Sequence, residues 1–248
     1  MYYNGIYYEE KGEGKTVIFL HGWGGGINSF KGTFTYLSKF YRCINLEFPG
    51  FGNSETPAKP YTIYDYAERI REFIGFLKPA GGSVTLVGHS FGGRVALILA
   101  AEYPALIENV VLIDAAGLKP RRGLKYFYRK TKFNFAKLLV RLKIKKAETL
   151  CKYGSPDYRA LSGIMKKTFV NVVGERLNTL AHKIRRPVLL VWGGKDKDTP
   201  LYMARYFKRH IQNSRLVIFK GAGHYSYIDK FHECNLLLKD WIYGNSDN

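Results

Sequence analysis

Short apolar runs bounded by glycine or proline recur along this chain, at Thr16–Leu20, Arg42–Leu46, Val84–Val87, Val110–Ile113, Val188–Trp192 and Leu216–Phe219. They are short and rich in β-branched side chains, which suits strands buried on both faces better than helices. Helical spacing fills the gaps. Ile63, Ala67, Ile70, Ile74 and Leu77 step by four and three, behind Thr62 and Asp65 placed like a capping box. Val95, Ala96, Leu99 and Ala100 follow the third run, and Phe231, Cys234, Leu238 and Trp241 close the chain. The opening Tyr2–Glu10 reads as a hairpin around Asn4-Gly5. Strand–helix alternation of this kind predicts an α/β fold, a mostly parallel sheet with helices on both faces. Such sheets carry their chemistry in loops at the carboxyl ends of strands.

Composition changes this picture in one place. The 248 residues hold 39 Lys plus Arg against 20 Asp plus Glu, a formal balance of +19. Residues 119–186 alone carry 20 basic and 3 acidic side chains, so +17 of the +19 lies there. The rest is nearly neutral. Helical spacing also dominates inside this segment, so 119–186 reads as a basic helical insertion into a core domain made of 1–118 and 187–248. An apolar content of 46% excludes a disordered chain. No apolar stretch is long enough to span a membrane, the N-terminus has no signal-peptide pattern, and Cys43, Cys151 and Cys234 form no disulfide or metal framework. The expected compartment is the cytoplasm.

Directly after the third run comes Gly88-His89-Ser90-Phe91-Gly92, followed by a helix. In a strand–turn–helix setting this spacing makes a nucleophile elbow, in which a strained turn lifts the serine hydroxyl clear and flanking glycines avoid clashes. The bland alternative is a glycine-rich turn whose serine caps the helix. A serine hydroxyl needs a base. Of the six histidines (21, 89, 182, 210, 224 and 232), His224 in Gly221-Ala222-Gly223-His224 lies just past the last apolar run, at a strand's carboxyl end. His89 adjoins Ser90 and points away from it in a sharp turn, while His21 reads as a tie that pins its loop by hydrogen bonding. The acid that orients the base is sought after Val188–Trp192, where Asp196 and Asp198 both stand. Asp196 is nearer the strand end, and Asp198 reads as the cap of a helix after Pro200. Asp114 is a third candidate. An oxyanion hole needs two donors converging on one point. The Phe91 amide follows the serine, and the Trp23 amide lies in the glycine-rich loop His21-Gly22-Trp23-Gly24-Gly25-Gly26. No dinucleotide fingerprint fits residues 22–29, and Gly14-Lys15-Thr16 lacks the leading glycine of a phosphate loop.

Taken together, His21-Gly22-Trp23-Gly24, Phe48-Pro49-Gly50-Phe51-Gly52-Asn53-Ser54, Gly88-His89-Ser90-Phe91-Gly92-Gly93, Asp196 and Gly223-His224 resemble the serine-nucleophile members of the α/β-hydrolase superfamily, in family order and over nearly the whole chain. The resemblance implies the α/β-hydrolase fold, a helical cap (lid) inserted after Val110–Ile113, and a Ser90-His224-Asp196 triad with Trp23 and Phe91 as oxyanion donors. It implies a carboxylesterase-like reaction, on a carboxylic ester or a thioester, with no metal or organic cofactor. One departure is Glu47, where relatives commonly carry Asp. Gly92-Gly93-Arg94 is similar to the elbow of menaquinone-pathway lyases of this fold, which keeps a lyase or C–C bond hydrolase in view. By default Arg94 makes a structural ion pair. A ligand-binding signalling protein with slow turnover is a rival of another class.

Within the basic segment, Phe135, Leu138, Leu139 and Leu142 share one helical face, with Lys137, Arg141 and Lys145 along another and Tyr126, Phe127, Tyr128 and Phe133 upstream. The plain expectation is a lid helix that packs this apolar face over the pocket. The charge also fits an anionic or carrier-protein-linked small-molecule acyl substrate, or peripheral contact with an anionic membrane. No nucleic-acid-binding motif accompanies it.

Overall fold

The computed structural model describes residues 1–119, 124–142, 144, 146 and 156–244. The Asn4-Gly5 hairpin is present. Both residues take positive φ, 45° and 77°, the left-handed pair that a two-residue turn needs to follow the strand twist. It joins β1 (Tyr2–Tyr3) to β2 (Ile6–Lys11). Six further strands follow: β3 (Thr16–Leu20), β4 (Arg42–Leu46), β5 (Val84–His89), β6 (Ile107–Ile113), β7 (Val188–Gly193) and β8 (Ser214–Phe219). They form one sheet in the order β1-β2-β4-β3-β5-β6-β7-β8, parallel from β4 through β8 and antiparallel at the hairpin edge.

Alternation along each strand divides the core in two. Ile18 and Leu20 of β3 pack with the helices on one face, while Val17 and Phe19 pack with those on the other. The first face is covered by α2 (Ile63–Leu77), α3 (Phe91–Glu102) and α7 (Leu201–His210), and the second by α1 (Ile27–Leu37) and α9 (Phe231–Gly244). Helix α2 starts as the spacing predicts. The Asp65 amide donates to Thr62 Oγ1 at 3.2 Å, and the Thr62 amide donates to Asp65 Oδ2 at 2.6 Å. Helix α7 departs from expectation. Its N-cap is Pro200 and no side chain caps it, so Asp198 does not play that part.

Strand order fixes where a site can form. The chain steps from β3 outward to β4, then crosses back to β5 on the other side of β3. The loops leaving β3 and β5 therefore diverge and open a crevice at the sheet's carboxyl edge. Between β6 and β7 lie α4 (Leu124–Arg141), α5 (Pro156–Ala160) and α6 (Gly163–Gly174), none of them part of the sheet layers. Helix α6 packs on the loops of that edge: Phe169 lies 5.1 Å from Trp23 between ring centres, and the Tyr61 amide donates to Thr168 Oγ1. Among the described residues no helix is long and apolar enough to cross a membrane. Lys145, Cys151, residues 245–248 and the side chains of Tyr126 and Phe127 lie outside the described residues.

Candidate active site

Ser90 stands between β5 and α3 with φ 49° and ψ −106°, a conformation that costs a non-glycine residue energy and persists only when its surroundings enforce it. They do. The Ser90 amide donates to the Ile113 carbonyl, its carbonyl accepts from Ala116, and the turn is closed so tightly that a Cβ at Gly88 would lie 2.7 Å from the Gly92 carbonyl oxygen.

His224 sits on the loop between β8 and α8 (Ser226–Asp229), and Asp196 on the loop after β7. The structure brings both to Ser90. Ser90 Oγ lies 3.1 Å from His224 Nε2, and His224 Nδ1 lies 2.9 Å from Asp196 Oδ2. This chain of contacts places a proton on Nδ1, donating to the carboxylate, and leaves Nε2 to accept from the serine. Asp196 is held in turn: Oδ1 accepts the amides of Asp198 and Thr199, and Oδ2 accepts the Thr199 hydroxyl at 2.6 Å. Burial pushes the Asp196 pKa upward, but the bonds from His224 and Thr199 outweigh it and hold the carboxyl at about 2. Burial likewise pulls the His224 pKa down, and the Asp196 carboxylate more than reverses this, leaving it above its ordinary 6.5. Asp196, Asp198 and His224 each present a ligand atom within 4.8 Å of the others. A cation there would have to displace the Asp196–His224 bond, so this donor set fits a hydrogen-bonded relay better than a metal site.

The loop after β3 runs directly alongside. A Cβ at Gly22 would lie 3.6 Å from Ser90 Cβ, and the neighbouring Trp23 ring packs edge-on to Phe91 and Phe51. Trp23 and Phe91 thus flank the serine from the two diverging loops. His21 pins that loop as expected. Its Nε2 accepts the Phe48 amide and its Nδ1 donates to the Gly22 carbonyl, while burial lowers its pKa to about 4 and keeps it neutral. Glu47 serves a similar end. Its carboxylate accepts the amides of Ile27 and Asn53, which joins the loop after β4 to the start of α1.

Two supporting residues were not legible as such. His89, buried behind the serine, donates from Nε2 to the His224 carbonyl at 2.8 Å and braces the histidine loop. Burial and the nearby His224 lower its pKa to about 3. Asp114, fully buried at the end of β6, accepts the amides of Gly193 at 2.8 Å and Ser226 at 3.0 Å. It links the loops that carry Asp196 and His224, but does not itself contact the imidazole. Arg94 departs from the default reading. Its Nη1 donates to the main-chain carbonyls of Val172 and Glu175 and not to a carboxylate, so the buried guanidinium closes the carboxyl end of α6.

The model of the alpha/beta hydrolase family matches residues 17–234. The chain belongs to the alpha/beta hydrolase family. It is 28% identical over 253 residues to a pimeloyl-[acyl-carrier protein] methyl ester esterase from Neisseria meningitidis, covering 93% of this chain and 94% of that one. Among solved structures, an esterase from Exiguobacterium antarcticum superposes with a TM-score of 0.76 at 25% identity, covering 96% of this chain and 95% of that one. A meta-cleavage product hydrolase from Pseudomonas fluorescens shares the fold, with a TM-score of 0.72 at 20% identity over 96% of this chain and 94% of that one.

Proposed function

We propose that this hydrolase-family chain cleaves carboxylic esters through an acyl-enzyme formed on Ser90. The observation that carries the reading is the unbroken contact from Ser90 Oγ through the His224 ring to Asp196, on a serine held in a strained turn at the mouth of the crevice. In this reaction Oγ attacks the ester carbonyl as Nε2 takes its proton, and the imidazolium that forms is stabilised by Asp196. The proton then passes to the departing alkoxide. A water activated by the same ring releases the acid and regenerates the serine. The Trp23 and Phe91 amides receive the oxyanion, a role worth about 10²–10³ in rate for each donor.

Trp23, Phe51, Phe91 and Phe169 form an aromatic wall beside the serine, suited to the apolar part of an acyl group. Residues 119–186 act as the lid, with α6 as its contact with that wall. The Neisseria relative's carrier-linked ester and the basic charge of the lid support an acyl substrate that is anionic or carried by an acidic protein, as an ester or a thioester. Arg94 weighs against the lyase-like alternative, because its guanidinium is engaged by main-chain carbonyls of α6. A p-nitrophenyl ester series of increasing acyl length tests the proposal. Steady turnover abolished by Ser90→Ala is expected. A stoichiometric burst without turnover would favour the slow ligand-binding reading, and no release at all would overturn ester cleavage.

A further inference from the structure

The apolar face of α4 that was expected to pack over the pocket is largely exposed. Tyr128, Phe135, Leu138 and Leu142 are 69%, 61%, 48% and 58% exposed, whereas Leu139 is half-buried and Ala136 is buried. The helical hydrogen bonding continues past Arg141, since the Leu142 amide donates to the Leu138 carbonyl at 2.9 Å. At 100° per residue these four side chains fall within an arc of about 80°, and they span about 21 Å along the axis. Lys132 and Arg141 border this stripe on its two sides, each within about 100° of its centre. Both are exposed, and among the described residues neither pairs with a carboxylate. The helix is therefore amphipathic in the reverse sense to a core-facing lid helix. Among the described side chains, Tyr128, Phe135, Leu138 and Leu142 share the solvent side with Lys132 and Arg141.

We infer that α4 is an interfacial helix that seats this face on a bilayer leaflet carrying anionic phospholipids. Three observations converge on that occupant. The stripe is a straight row of half-exposed aromatic and leucine side chains, which water disfavours and the acyl boundary of a leaflet accepts. The cations at its borders reach the level where lipid phosphates lie, with their stems along the apolar surface. The segment's excess of 20 basic over 3 acidic residues supplies the second, electrostatic signal that stable peripheral binding requires. An acidic protein would neutralise the charge, but a polar surface would leave the Phe135, Leu138 and Leu142 row without an apolar partner. The inference stands apart from the proposed hydrolysis, since docking needs no turnover.

Co-sedimentation of the full chain with vesicles tests it, using phosphatidylcholine alone and equal parts phosphatidylcholine and phosphatidylglycerol. Binding to the anionic vesicles only, weakening with salt, is expected. The Phe135→Ser/Leu138→Ser/Leu142→Ser variant keeps every charge and should lower the partition coefficient by about a hundredfold, the transfer free energy of three half-exposed large apolar groups. Lys132→Gln and Arg141→Gln should each lower it by about fivefold. These positions are exposed, so thermal midpoints should stay near that of the unaltered chain and separate lost docking from lost folding. Equal binding to both vesicle types, or undiminished binding by the triple-serine variant, would overturn the inference. So would absence of vesicle binding accompanied by capture of a purified acidic carrier protein, or by a dimer that the serine substitutions dissociate.

Discussion

Asp114 offers a test of which force governs a buried carboxyl beside the candidate triad. Two amides, from Gly193 and Ser226, favour its charged form, while burial and the nearby Asp196 carboxylate oppose it. Burial is the larger effect and lifts its pKa from the ordinary 3.8 to about 7. The sign follows directly. The unfolded chain releases this proton near pH 3.8 and the folded chain only near 7, so the stability contribution is fully present below the lower value and lost as pH rises through the higher. At about 1.36 kcal/mol per pKa unit, roughly 3 kcal/mol of stability disappears between about pH 5 and pH 8.5 through this group alone. Asp114→Asn has nearly the same shape and no charge. Its oxygen still accepts one amide, but its NH₂ faces the other, which costs about 1–3 kcal/mol. The variant's stability relative to the unaltered chain should therefore improve by about 3 kcal/mol from pH 5 to pH 8.5 and exceed it at the upper pH. Urea denaturation with linear extrapolation at both pH values measures this difference. A variant that is less stable at both, by the same amount, would refute the reasoning, because the two amides would then be holding a charged carboxylate against desolvation.

Other outcomes follow from the same geometry. Gly92→Ala would drive a Cβ into the main-chain carbonyl of Leu20, so a loss of about 3 kcal/mol or more is expected in denaturant unfolding. Gly75→Ala, in α2 with open space around it, should instead stabilise by about 0.4–1 kcal/mol. Because the Asp196 carboxylate holds the His224 pKa above 6.5, kcat/KM on an ester should rise with pH to half-maximum above 6.5. Asp196→Asn should lower kcat by about 10⁴, since the imidazole loses its tautomer, and should move that inflection to lower pH.

The strand frame was legible because the buried strands are short apolar runs, many of them rich in β-branched residues, and β3 and β4 match their runs end to end. Strand β6 begins earlier than its apolar run because Glu108 and Asn109 interrupt the hydrophobic signal although the backbone still pairs. Helix α1 was hidden for a related reason. It leaves a glycine run and carries Gly32 at its middle, although Phe30, Phe34 and Leu37 keep helical spacing. Helical spacing also reveals that α4 has an apolar face without saying which way it turns, and Phe135, Leu138 and Leu142 of that face are exposed where a packed lid face was expected. Ser90, Asp196 and His224 stood out because each lies within five residues of the carboxyl end of a strand, where such folds carry their chemistry. His89 braces a loop 135 residues away, and Asp114, which its place after a strand offers only as a candidate acid, bonds to amides 79 and 112 residues away, so no local pattern announces these supporting roles.

The central claim is that Ser90 is a nucleophile activated by His224. Labelling the folded protein with a fluorophosphonate and mapping the adduct by mass spectrometry tests it most directly. One adduct on Ser90, absent from Ser90→Ala and formed much more slowly in His224→Asn, is the predicted result. A folded chain that takes no adduct, or takes it equally well without Ser90, would contradict the claim.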